Sequence, residues 1–189
     1  NNFSDANDVD RIMEIAQAND NPHELIHLVQ DNADAIFTWN YDKGERAKLD
    51  KLYEKSKTSQ WNATTDLDWS IEVDPYEALN LQLELQMDPS NVEDPDSPLY
   101  SWGDKEWREF GLQSAKWRLS QFMHGEQGAL LCTAKIVETV PWIDAKYYAA
   151  QQTVDEARHV EAFARYVNEK LDGGYPVNPH LRLLLDDII

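Results

Sequence analysis

The sequence predicts an all-α protein organised around one long helical hairpin. Three observations carry that expectation. Residues 104–139 keep a helical apolar spacing without a break, and so do residues 142–171. The interruption between them is Pro141, which cannot sit inside a helix without removing a hydrogen bond and clashing with the preceding turn. Gly173-Gly174, followed by Pro176, then ends the second helix.

The elements before the hairpin are shorter and weaker. Asp5 to Asn19 carries Val9, Ile12, Met13 and Ala16 at helical spacing. A second helix is expected from Asn21-Pro22 to about Phe37, with Leu25, Ile26, Leu28, Val29 and Ile36 as its stripe. Residues 39–75 read as mixed: a short helix over 44–56, then a polar segment from Thr58 to Asp74 that contains Trp61 and Trp69. Tyr76 to Met87 reads as a further helix, and the stretch from Asp88 to Pro98, with three Pro and four acidic residues, as a loop. Residues 1–100 thus form an N-terminal helical and loop elaboration. Residues 101–189 form the hairpin unit and the start of a following helix, in Leu181 to Ile189.

Composition restricts the function classes. At 189 residues the chain is long enough for one cored domain, and its 42% apolar content with seven Trp, eight Tyr and five Phe argues against wholesale disorder. A net charge of −18 repels phosphate backbones and anionic lipid, which makes nucleic acid and membrane poor partners. A single cysteine, Cys132, rules out an internal disulfide and fits a reducing cytoplasm. The first residue is Asn, and the last segment stops with no helix-ending signal, so the sequence reads as the N-terminal part of a longer protein.

The hairpin carries the chemistry. Glu126 and Glu156 lie thirty residues apart with Pro141 at the midpoint. At 1.5 Å per residue both fall about 22 Å from the turn, at one height on adjacent antiparallel helices. Glu156 and His159, three positions apart, share a helix face. Their face continues through Ala145, Ala149, Gln152, Val160, Phe163 and Val167, and points inward. Glu126 stands in a stripe of Leu119, Phe122, Met123, Ala129, Leu130, Thr133 and Val137, where burial is expected. An unpaired buried charge costs several kcal/mol, and no Lys or Arg lies one turn away to neutralise it. A metal cation answers that need; a buried salt bridge to Arg158 or an inter-helix hydrogen bond is the structural alternative. Gly125 and Gly128 flank Glu126, either for close helix packing or to leave space beside a metal.

Glu-x-x-His alone is weak. Five His and fifteen Glu in 189 residues supply about 0.4 copies by chance, and Glu24 with His27 forms a second copy. That copy follows Asn21-Pro22 and reads as a helix start, with Glu at the third helical position. His23, His124 and His180 read as surface or helix-end residues. A lone Glu facing a Glu-x-x-His is half of a carboxylate-bridged two-metal site, whose full set is two of each on four helices. Carboxylate and imidazole donors suit Fe or Mn, and mixed manganese/iron occupancy stays open.

The segments Gly125-Glu126-Gln127-Gly128-Ala129-Leu130, Val140-Pro141-Trp142-Ile143-Asp144-Ala145-Lys146 and Asp155-Glu156-Ala157-Arg158-His159-Val160-Glu161 resemble the first metal-binding hairpin of ferritin-like di-iron oxygenases. The Asp-Glu-x-Arg-His form is similar to that of the hydroxylase subunits of bacterial multicomponent monooxygenases. The p-aminobenzoate N-oxygenase group shares the plan with other spacings. The resemblance spans about residues 105–172 and is not specific for a substrate. It implies a ferritin-like helical bundle with two Fe ions: Glu126 as a terminal ligand, Glu156 as a bridging carboxylate and His159 as the imidazole ligand. It further implies that Asp155 accepts a hydrogen bond from the other half's His and that Arg158 balances buried negative charge. Dioxygen, a small organic substrate and an electron-donating reductase would be the partners. The chain departs from that pattern in lacking the second lone Glu and the second Glu-x-x-His.

Three functions follow as expectations. The first is a non-haem di-iron oxygenase of which this chain holds half the ligands. The second is a ferroxidase or iron-binding protein completed by homodimerisation, since two-fold pairing would bring two half-sites together. The third is a metal-free helical interaction domain.

Overall fold

The structure, a computed structural model, describes residues 28–30, 33–74, 76 and 94–189. Among them are four helices and no strand: α1 (Ala47–Ser56), α2 (Asp104–Thr139), α3 (Ile143–Lys170) and α4 (Pro179–Ile188). The all-α class holds. The predicted hairpin is α2 and α3, joined at 140–142 across Pro141, with α1 packed on α3 and α4 on α2.

The hairpin packs through small side chains. Ala115, Ser120, Gly128 and Thr133 on α2 are buried, as are Ala149 and Val167 on α3. The hydroxyls of Thr133 and Thr153 meet across the interface at 3.2 Å, and each also donates to a carbonyl one turn back. Such back-bonding satisfies a hydroxyl that would otherwise cost free energy inside. At the turn, Lys146 donates to the carbonyls of Val137 (2.7 Å) and Glu138 (3.3 Å), capping the end of α2 with a cation.

Asp144, in the first turn of α3, is 2% exposed and ties the N-terminal segment to the hairpin. Its carboxylate accepts from the backbone N–H of Gly44 (3.0 Å) and of Arg46 (3.0 Å), just ahead of α1. Those hydrogen bonds hold its pKa below the ordinary carboxylate range. Gly44 has φ +95°, a conformation that favours glycine. Tyr53 of α1 then stacks on Tyr147 of α3, with centroids 5.3 Å apart.

The second hairpin helix closes through left-handed backbone at Asp172 (φ 56°) and Gly173 (φ 87°), with the Gly173 N–H on the Val167 carbonyl at 3.1 Å. Helix α4 begins two residues before the predicted Leu181. Asn178 caps it, its side chain accepting from the Leu181 N–H at 3.0 Å, and Pro179 opens the helix.

One predicted element is corrected. The described part of the expected helix ending near Phe37, residues 28–30 and 33–37, is not helical. Of its described apolar residues, Leu28 is 77% exposed and Ile36 40%, and Phe37 at its end is 76% exposed. The Ile36 N–H instead donates to the Glu138 carbonyl at 2.9 Å, at the end of α2. The helices expected over 5–19 and 76–87 lie outside the described residues, except for Tyr76, as do His23, Glu24 and His27.

Candidate metal centre

Equal height on the hairpin brings Glu126, Glu156 and His159 together. One ligand atom from each lies within 4.8 Å of the other two, and among the described residues this is the only such group of His, Cys, Asp and Glu. The Nδ1 atom of His159 is 3.1 Å from Glu156 Oε2 and 3.5 Å from Glu126 Oε2. Two atoms bound to one ion at roughly 2.1 Å each lie at most about 4.2 Å apart. Small side-chain rotations would therefore close the group around a single cation. Two carboxylates and one imidazole are the donor set for Fe or Mn. Three donors fit one ion; a two-metal site needs a further set.

Glu126 lies less deep than its stripe predicts, at 27% side-chain exposure against 19% for Glu156. Phe122, one turn before it, is 55% exposed and stacks on Phe163 of α3. This edge of the hairpin is only partly covered among the described residues. The Glu126 carboxyl is still pushed above its ordinary pKa, first because burial penalises the charged form and then because Glu156 stands beside it; the charge of His159 pulls it the other way.

Arg158 does not pair with Glu126, so the salt bridge named as one alternative to a metal is absent, while Glu126 does lie across the hairpin from His159 at 3.5 Å. Arg158 is 12% exposed and pairs with Asp155 one turn earlier. It also donates to the side chain of Gln60 and to the Trp61 carbonyl. Its partners in this structure are therefore Asp155 and the loop at Gln60 and Trp61. His124 reaches the Tyr175 carbonyl at 3.0 Å and stays apart from the group; His180 is exposed on α4.

The flanking glycines separate. A Cβ on Gly128 would fall 2.2 Å from Leu185 Cδ2 of α4, so that glycine serves packing. A Cβ on Gly125 would meet nothing within 4 Å, so open space lies beside Glu126.

Two features are not evident in the sequence. Residues 57–72 form a strap laid along α3. Gln60 donates to Gln151, Thr64 to Glu161, and Lys170 donates to the carbonyls of Trp69 (2.7 Å) and Ile71 (2.9 Å), while Arg165 sits over the Trp69 ring. Beneath it opens an apolar cleft of about 600 Å³, lined by Leu67 and Trp69 of the strap, by Leu119 and Phe122 of α2, and by His159, Phe163 and Tyr166 of α3. One ligand candidate therefore faces a cavity sized for a small organic molecule. The only sequence signal for either is Trp61 and Trp69 in an otherwise polar segment.

No family model, no curated protein and no solved structure matches the chain. No helix among the described residues is long and apolar enough to cross a membrane.

Proposed function

We propose that Glu126, Glu156 and His159 form half of the metal site of a non-haem di-iron oxygenase of ferritin-like plan that oxidises a small organic substrate. The observation that carries this reading is the position of His159, which belongs both to the three-donor group and to the wall of the apolar cleft. When bound, a pair of ferrous ions supplies the electrons that activate dioxygen, and a reductase restores them.

The chain's own residues account for binding and positioning. Glu126 and Glu156 provide the negative charge that a divalent cation neutralises, and His159 provides a neutral nitrogen once its Nδ1 is deprotonated. Burial and Glu156 favour the neutral form of the Glu126 carboxyl and a cation favours the ionised form, so metal binding is linked to pH. Phe122, Phe163 and Tyr166 hold an apolar molecule against His159 and keep water off that side. The second set of donors comes from a second copy of the chain or from a further segment, and cytoplasmic placement rests on the lone Cys132.

A second reading uses the same geometry without metal. A His159 whose Nδ1–H donates to Glu156, with Glu126 close by at 3.5 Å, would serve the cluster of a purely structural helical domain. Mössbauer spectra of protein loaded anaerobically with isotopically enriched ferrous iron, then exposed to air, separate the readings. Spin-coupled iron pairs support the oxygenase site, isolated ferric ions sink the two-metal reading, and no bound iron favours the structural one.

A further inference from the structure

Metal-bound histidines are usually held by a hydrogen bond from the ring nitrogen that does not face the metal, which fixes tautomer and orientation. His159 is arranged differently. Its Nδ1 faces Glu156 and Glu126, and its side chain is 42% exposed. What flanks the ring instead is the indole of Trp61, stacked with centroids 6.1 Å apart and planes inclined by 30°.

Trp61 is itself held from α3. The Arg158 guanidinium lies 5.6 Å from the indole centroid and donates to the Trp61 carbonyl at 3.2 Å. The same guanidinium grips Gln60 and pairs with Asp155. Arg158 and His159 are consecutive on α3, so one turn of helix presents both the imidazole and the anchor of the ring that packs against it. The Asp-Glu-x-Arg-His run thereby has a division of labour in which Glu and His face the hairpin partner, while Asp and Arg fix the strap.

We propose that Trp61, locked onto α3 by Arg158, is the positioning residue of His159: its indole face restricts rotation of the imidazole and keeps Nδ1 aimed at Glu126 and Glu156. This rests on the metal reading given above for the benefit it confers on ion binding, but not for the restriction itself. A half-exposed imidazole without that wall samples other rotamers and gives up part of the pre-organised site. Substitutions of such supporting groups commonly weaken metal binding about 10–100-fold.

The test uses the whole chain in two measurements. In metal-free protein labelled at histidine, NMR relaxation of the His159 ring, assigned with H159Q, reports its mobility. The ring is expected to be rigid in the wild type and in W61F and mobile in W61L, which removes the aromatic face while staying apolar. A ring equally rigid in the wild type and W61L overturns the proposal, whatever the metal results. Cobalt(II) titration then follows the wild type, E156A, W61L and W61F. Binding that needs Glu156, falls about tenfold or more in W61L and recovers in W61F to within about threefold supports it. Unchanged affinity in W61L, or W61F as weak as W61L, overturns it. A wild type that takes up no cobalt sinks the metal reading alone, and the relaxation data then decide the role of Trp61.

Discussion

The two glycines that flank Glu126 predict opposite outcomes for the same substitution. In a helix interior Gly→Ala contributes up to about 1 kcal/mol, partly by restricting the unfolded chain. At Gly125 the new methyl group meets nothing within 4 Å, so the gain stands undiminished. At Gly128 it would lie 2.2 Å from Leu185 Cδ2 and 3.4 Å from Leu185 Cγ, and the Leu185 side chain must shift or change rotamer. Overpacking of this kind costs about 1–3 kcal/mol, enough to cancel the propensity gain and reverse it. A chain of this size shifts its melting temperature by about 2–4 °C per kcal/mol. Thermal unfolding in the metal-free state should therefore place G125A about 1–4 °C above the wild type, and G128A below it. Removing the obstruction by L185A should make the two changes strongly non-additive, since they share one contact. If G128A stabilises as much as G125A, α4 does not pack against α2 as described.

Two further outcomes follow from the charged groups. For Glu126, a folded pKa above the ordinary 4.5 means that its contribution to stability is full below about that pH and is lost as pH rises through the folded value. E126Q, which cannot ionise, should melt higher than the wild type at pH 7 in chelator, with the gap closing toward pH 4; equal melting temperatures at pH 7 would contradict the shift. Asp144 runs the other way, because its lowered pKa gives stability that is present above the unfolded value and lost as pH falls through the folded one. D144A should raise hydrogen exchange in α1 and residues 43–46 while α2 keeps its protection, and uniform exchange across both would show that Asp144 is no local pin.

What is legible in the chain depends on how local its cause is. The hairpin can be read to within a residue at each end because Pro141, Gly173 and uninterrupted periodicity are local signals, and antiparallel geometry then places Glu126 opposite Glu156. The expected helix through Phe37 fails over its described part because an apolar stripe makes a helix only where a surface receives it, and Leu28 and Phe37 find none. The strap and its cleft are hidden for a further reason. Residues 57–72 have no periodicity, and what holds them is a set of side chains on α3 reaching carbonyls some hundred positions away, as Lys170 does to Trp69 and Ile71. Arg158 illustrates the cost of reading a motif by charge alone. Beside two carboxylates in sequence it looks like their counter-ion, yet on the helix it points to Asp155 and Trp61.

The central claim is that Glu126, Glu156 and His159 act together on one metal ion. Anaerobic calorimetric titration with ferrous iron, on the wild type and on E126A, E156A and H159A, tests it most directly. Saturable uptake of one ion per chain is expected, weakened about tenfold or more by each of the three substitutions. Wild-type protein that releases no heat with iron, or binding that survives E156A and H159A unchanged, would contradict it.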